Sequence, residues 1–409
     1  MIAACWPSAK SARTARCLIT GISGYNNPVE LKIVTSIDAL QAEQWNAVAG
    51  TSNPFLRFEF LAALERNGCT GEQFGWLPRH LVAFDDDRQL VGAIPLYLKD
   101  NSYGEFVFDH SWADAYQRAG LAYYPKAVIA VPYTPATGPR ILTRDTTDRA
   151  AVASQLIQLA KEWSHSENLS SLHWLFTGED DTHRLKEAGF MLRLGCQFHW
   201  HNQGYRDFED YLSGFNSRKR KKVRRERRYV QEANISIQVV HGHEATDPEL
   251  ETMHDFYRTT FENKWGQPTL SPGFFREIAS SMGKQLVFII ARDNQRMVAG
   301  AICFRSEDAL YGRHWGCYED YHSLHFETCY YQGIDYCIDH GLKLFEPGAQ
   351  GEHKINRGFL PTPTWSAHWI RHQGFHDIIA RFLEQETHAM RDYMTELSAR
   401  SPFRQSKVA

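Results

Sequence analysis

The densest chemistry in the chain lies in FNSRKRKKVRRERRYV, residues 215–230, where nine of sixteen residues are Lys or Arg and Glu226 is the only acid. The segment therefore carries +8 in a chain of formal charge −3, leaving −11 on everything else. Nothing in it breaks a helix, and Ser217 is placed to cap one. Val223 and Val230, seven apart, give one thin apolar seam, while cations four apart on the other faces repel. Three roles fit: a solvated surface helix, a nuclear-localisation or nucleic-acid patch, and an anion site for a nucleotide-linked substrate or a tRNA backbone.

Other constellations follow. In GAQGEHKINRGF (348–359) a glycine-containing turn lets backbone approach a ligand. Lys354 there offers an ammonium to a phosphate or a developing oxyanion, with a plain loop lysine as the equal alternative. Glu352 and His353 beside it are candidate bases or orienters. The aromatic, proline-containing stretch 106–140 offers Trp112, Asp114 and Tyr133 as the lining of an acceptor cleft, against the reading of a well-packed long loop. HWGCYEDYHSLHFE (314–327) is rich in His and Cys, but its spacing matches no zinc signature and HExxH is absent, so no metal is expected. No GxSxG or nucleophilic Cys motif occurs. Such a chain suits attack of an amine on an activated ester, where holding both reactants in one cleft supplies up to roughly 7–11 kcal/mol.

The elements that must position these groups form a repeat. HLVAFDDDRQLVGAIPLYL (80–98) and VFIIARDNQRMVAGAICFR (287–305) both read strand, charged turn, strand, with Gly92 and Gly300 in the second strand. Two helical patterns precede each hairpin, with Asn53-Pro54 and Ser271-Pro272 as helix starts. A long helix and an apolar strand follow each: DRAAVASQLIQLAKEWS then SLHWLF, and HFETCYYQGIDYCIDHG then LKLFEPG. This is the layout of the Gcn5-type acyltransferase fold, so the expected class is α/β (α+β). Two tandem duplicated domains are expected, each a mixed, mainly antiparallel sheet flanked by helices. Their bounds are 27–205 and 206–372, after a disordered tail 1–26 and before a C-terminal amphipathic helix and tail, 373–409, with apolar residues at 375, 378, 379, 382, 383, 390, 394 and 397.

Three segments, QFHWHNQGYRDFEDYLSGFNSRKRKKVRRERR, VFIIARDNQRMVAGAICF and LKLFEPGAQGEHKINRGFLP, resemble the Fem-type peptidoglycan aminoacyl transferases, and more closely the Fem-like predicted N-acyltransferases. The resemblance spans roughly residues 30 to 372. It implies an N-acyltransferase that joins an activated acyl group to an amine, with a peptidoglycan precursor as one acceptor. It also implies Arg220, Arg224 and Arg225 near substrate phosphates, where a bidentate guanidinium suits the geometry, and Lys354 at the reacting centre. The long helical-hairpin insertion of some members is lacking. The Gcn5-type pyrophosphate loop is replaced by the acidic, aromatic GCYEDYHSLHFETCYY. Aminoacyl-tRNA and acyl-CoA therefore both stay open as donors, with no bound cofactor expected. The rival reading is a non-catalytic protein that recognises peptidoglycan precursors or RNA on the same scaffold.

Composition agrees with a globular chain: 409 residues, 43% hydrophobic and 13% aromatic, enough for two cores. Eight scattered cysteines without CxxC pairs read as reduced thiols of a cytoplasmic protein. The longest apolar runs are strand-length, so no membrane span is expected. Oligomeric state is left open.

Overall fold

The computed structural model describes residues 29–145, 148–262, 266–349 and 351–404; the expected tail 1–26 lies outside them. The first half contains β1 (Glu30–Val34), α1 (Ala42–Ala49), α2 (Phe58–Arg66), β2 (Leu77–Pro78), β3 (His80–Phe84), β4 (Leu90–Ile94) and β5 (Leu96–Lys99). It continues with α3 (His110–Arg118), β6 (Lys126–Ile129), β7 (Leu142–Thr143), α4 (Arg149–Ser166), β8 (Ser171–Thr177), α5 (Glu179–Glu187) and β9 (Met191–His201). The second half opens with α6 (Phe208–Ser213), α7 (Ser217–Glu232), β10 (Ile235–His241), α8 (Asp247–Glu262), α9 (Pro272–Ser281), β11 (Leu286–Asp293), β12 (Arg296–Arg305) and β13 (Ala309–Cys317). It ends with α10 (Leu324–Phe326), a π-helical turn (Glu327–Tyr331), α11 (Gln332–Asp339), β14 (Leu344–Glu346), a 3-10 helix (Glu352–Arg357), β15 (Leu360–Ile370) and α12 (Gln373–Ala399).

The strands form a four-stranded sheet, β1-β3-β4-β7, and an eleven-stranded sheet, β10-β11-β12-β13-β14-β9-β15-β8-β6-β5-β2. Antiparallel pairing dominates. Two parallel contacts stand out, one per half: β6 with β8 through Ala127–Leu172, and β13 with β14 through Ala309–Leu344. A parallel pair needs a long crossover, and α4 and α11 supply it. β15 lies between β8 and β9, so the last strand of the second half completes the sheet of the first, and β14 bonds to β9. Aromatic edges join the halves again, Phe55 against Phe304 and Tyr311, and Phe60 against Phe274.

The duplicated hairpins are β3–β4 and β11–β12, and Gly92 and Gly300 both lie on the second strand. Their faces differ. A Cβ on Gly92 would meet Val152 and Leu156 of the following helix α4, whereas one on Gly300 would meet Met253 and Phe256 of the preceding helix α8. Each glycine lets a helix settle on the sheet, but on opposite sides.

Three helix starts differ from, or refine, the sequence expectation. Ser271 does cap α9, its side chain accepting from the Phe274 N–H. Asn53 instead accepts from the Phe55 N–H in a turn, and α2 begins only at Phe58. The cap of α7 is Asn216, which accepts from the Lys219 N–H; Ser217 is the first helical residue. Asn is as good a cap as Ser, so the start moves one place. Among the described residues no helix is long and apolar enough to cross a membrane. α12 packs on the body through Ile379, Leu383 and Leu397, leaving Ile378 and Phe382 exposed.

Candidate functional site

Helix α7 has two unlike faces. Val223, Glu226 and Val230 point inward and are buried. Glu226 accepts both contacts of a forked pair from Arg357 Nη2, at 2.9 and 3.0 Å, and also the hydroxyl of Tyr331. Arg227 lies over the Phe208 ring and pairs with Glu327 and Asp335. The outward face is an open hollow of about 950 Å³ lined by Lys and Arg side chains between Arg218 and Arg228. Of the three arginines expected there, Arg225 is exposed without an ion pair, while Arg224 pairs with Glu209 and Arg220 reaches back toward the Ser213 carbonyl at 3.4 Å. Arg218 and Lys221, not singled out in the sequence, join Arg225 as exposed cations without a carboxylate partner among the described residues.

The inner face of α7 grips the 3-10 helix that carries Lys354. Besides the Glu226–Arg357 fork, Lys219 donates to the Asn356 side chain, and Arg357 Nη1 donates to the His353 carbonyl at 2.9 Å. Arg357 also lies 3.4 Å over the Phe326 ring and donates from Nε to Tyr331 at 3.1 Å. The helix ends on Gly358 at φ +84, where a side chain would collide with the Tyr211 hydroxyl.

Lys354 is 3% exposed. Its Nζ donates to the Gly348 carbonyl at 2.7 Å and meets no carboxylate among the described residues. Burial disfavours the charged form and draws its pKa down to about 8, with Cys329 partly opposing. His199 is also close enough to feel this charge. His353 Nε2 lies 2.9 Å from the Tyr330 hydroxyl, and burial, Arg357 and Lys354 hold its pKa below the usual imidazole range. Glu352 points elsewhere: it accepts from Tyr393 at 2.8 Å and Arg400 at 3.1 Å, so it ties α12 to the turn and is no base beside Lys354.

The acceptor-cleft expectation is corrected residue by residue. Trp112 and Asp114 are two apart on α3, so they face opposite ways. Trp112 is buried edge-on against His368 and under Arg193, and Asp114 is solvent-exposed. Tyr133 is buried with its hydroxyl on the Cys69 carbonyl at 2.8 Å. The three do not converge.

Two groups that sequence reasoning missed stand near the parallel junctions. Glu346 ends β14, is buried, and has one oxygen without a hydrogen bond. Burial raises its pKa to about 8, while the Thr137 N–H, Arg313 and Arg140 oppose this. Lys126 starts β6 and is fully buried between Glu105 at 2.8 Å and Asp109 at 2.5 Å. Burial pulls the Lys126 pKa down, but the two carboxylates outweigh it and the net shift is upward. Tyr123 and Ser102 complete the cage on Asp109.

The region after β13, where a nucleotide-cradling loop would open a helix, keeps its amides for itself: Leu324 N donates to Tyr321 O, and the Phe326 and Glu327 N–H groups to Ser323 O, at 3.0–3.1 Å. Among the described residues no group of three or more His, Cys, Asp or Glu is placed to hold a metal.

Comparison with known proteins places this geometry. A family profile described as FemAB-like, peptidoglycan biosynthesis/recognition, matches residues 36–405. The comparison with curated proteins returns no match. Among solved structures, the C-terminal domain of a putative lysylphosphatidylglycerol synthetase from Agrobacterium fabrum aligns at TM-score 0.50 and 9% identity, covering 84% of this chain and 96% of that one. FemX aligns at TM-score 0.49 and 12% identity, covering 83% and 98%. A tandem GNAT protein from the clavulanic acid biosynthesis pathway aligns at TM-score 0.43 and 11% identity, covering 84% and 98%. At these identities the likeness is one of fold alone.

Proposed function

We propose that this chain, which belongs to the FemAB-like family of peptidoglycan biosynthesis/recognition, is an N-acyltransferase that joins an activated acyl group to the amine of an anionic, phosphate-bearing acceptor. The observation that carries the reading is Lys354: a buried ammonium with no carboxylate among the described residues to neutralise it, held on a turn beyond the end of β14. An ion in that state loses solvation and gains little in return unless a ligand brings negative charge. With a pKa near 8 it is mostly charged at neutral pH and suited to meet an oxyanion.

In the reaction so assigned, the neutral amine attacks the acyl carbonyl, and negative charge develops on the carbonyl oxygen opposite Lys354. The tetrahedral intermediate expels the alcohol or thiol of the donor, and the amine's proton leaves with that group or to solvent. The outer face of α7 holds phosphate by charge, with Arg218, Lys221 and Arg225 as its free cations. The acceptor's identity within the family's peptidoglycan setting is part of this proposal, as is an aminoacyl donor.

The self-satisfied amides around Ser323 favour a donor other than acyl-CoA, since a pyrophosphate would have to displace them. The same observation supports the second reading, a recognition protein without turnover. Measuring amide formation with aminoacyl-tRNA, acyl-CoA and simple activated esters separates the two. Amide product that vanishes in Lys354→Met supports the transferase. Phosphate-ligand binding with no product from any donor supports recognition alone.

A further inference from the structure

The basic helix contains two acids, Glu226 and Glu232, and Glu226 is the one that faces in. Glu226 is 6% exposed, among nine Lys and Arg of the segment 215–230 that mostly face solvent. Glu232 serves the outer face, exposed and 3.8 Å from Arg228 four residues earlier, where it relieves some of the helix's own repulsion. Glu226 lies 3.8 Å from Lys222 Nζ, but both its oxygens accept from Arg357 Nη2, and that guanidinium is itself only 3% exposed.

The other two nitrogens of that guanidinium reach the π-helical turn and the segment around Lys354. Nε goes to Tyr331, which in turn donates to Glu226, closing a three-membered ring of contacts. Nη1 goes to the carbonyl of His353, the peptide that leads directly into Lys354. The plane of the group is fixed by Phe326 at 3.4 Å. The 3-10 helix has only six residues, from Glu352 to Arg357, and such short helices have little stability of their own. Its place is therefore set by what holds its ends: the Gly348 contact on one side, Arg357 and Gly358 on the other.

We propose that Glu226 is a positioning residue for the transfer reaction, holding the Lys354 ammonium in its buried place by way of Arg357, so that α7 binds anion with one face and aligns the reacting site with the other. Glu226 touches no substrate in this arrangement. This deepens the transferase reading and rests on it for the word reaction; the geometry it asserts is testable without any substrate.

The test reads the titration of Lys354 itself, by NMR of protein carrying 13C-labelled lysine. The groups around that ammonium are Cys329 on the π-helical turn, His199 on β9, and His353 and Arg357 on its own helix. Glu226→Gln keeps the shape and removes the charge that holds Arg357. The Lys354 signal, expected at about 8 in the native protein because burial disfavours the charge, should move toward the solvent value of about 10.4 as the ammonium reaches water. Glu226→Asp, which restores the carboxylate one methylene short, should recover part of the shift.

A merely structural Glu226 would lower the melting temperature and leave the Lys354 titration unchanged below it, and that result overturns the proposal. Should Glu226→Gln fail to fold, Arg357→Lys supplies the same decision. It leaves Glu226 a counter-ion but cannot serve His353, Tyr331 and Glu226 at once, so it too should free Lys354. An unmoved Lys354 in that variant sinks the idea equally. None of these outcomes touches phosphate binding by α7 or amide formation, so the positioning role and the transferase reading can fail separately.

Discussion

Lys126 and Lys354 are both buried lysines next to a parallel strand pair, one in each half, and they are solved in opposite ways. Lys126 has two carboxylates within 2.8 Å and its charge is reinforced. Lys354 has a single backbone carbonyl and its charge is weakened. A buried ion with counter-ions is part of the framework, because removing it strands the partners. A buried ion without one costs stability in the resting protein, and the fold tolerates that cost where a ligand supplies the missing charge. The contrast does not divide the halves: Lys99 of the first half is also buried among neutral acceptors, donating to the Asn101 side chain and the Tyr103 carbonyl, and burial lowers its pKa to about 7.

The contrast breaks most visibly at Lys126. Lys126→Met leaves Glu105 and Asp109 facing each other in a dry interior, and the loss should be about 3–5 kcal/mol of folding stability by denaturant titration. A variant as stable as the native chain would mean the cage is not structural. Lys354→Met should do the reverse, changing stability little while lowering kcat by roughly 10²–10³-fold if the ammonium meets the oxyanion. A raised KM with kcat spared would place it on ground-state phosphate instead, and full activity would remove it from the site.

A smaller effect sharpens the role of α7. Replacing Arg218, Lys221 and Arg225 together by Gln should weaken binding of inorganic pyrophosphate and flatten its dependence on salt. Fluorescence or calorimetric titration at several ionic strengths reads this, and identical curves for variant and native protein would leave the face merely solvated. Arg224→Gln alone should matter less, since Arg224 already pairs with Glu209.

A further effect lies in the pH dependence of stability. Unfolded lysine keeps its proton to about pH 10.4, whereas folded Lys354 releases it near 8. Between those values the unfolded chain holds the extra proton, so raising the pH favours the fold. Native protein should thus gain stability relative to Lys354→Met from pH 8 toward 10. Parallel curves would show that Lys354 is not buried in solution.

Much of this was legible in the chain. The two hairpins, the helices around them and the α7 seam at Val223 and Val230 follow from periodicity, which depends on neighbours in sequence. Glu226 was legible too in one respect: it lies three after Val223 and four before Val230, on the buried seam, so helical spacing alone marks it as inward. The opposite sides taken by Trp112 and Asp114 follow equally from their separation of two on a helix. Their aromatic and acidic types suggested a shared cleft and overrode that spacing.

What the sequence determined by itself was the family, the repeated order of elements and a helix dense in positive charge, because composition and local pattern carry those directly. What only the tertiary structure decided was which charges are paired. Arg357 and Glu226 are 131 residues apart in sequence and 2.9 Å apart in space. Lys126 meets its carboxylates across a loop, and Lys354 meets none among the described residues. Pairing depends on distances that chain spacing does not encode, and burial sets how much each pair is worth. The distinction between a buried lysine with carboxylate partners and one without therefore arises only once the chain has folded.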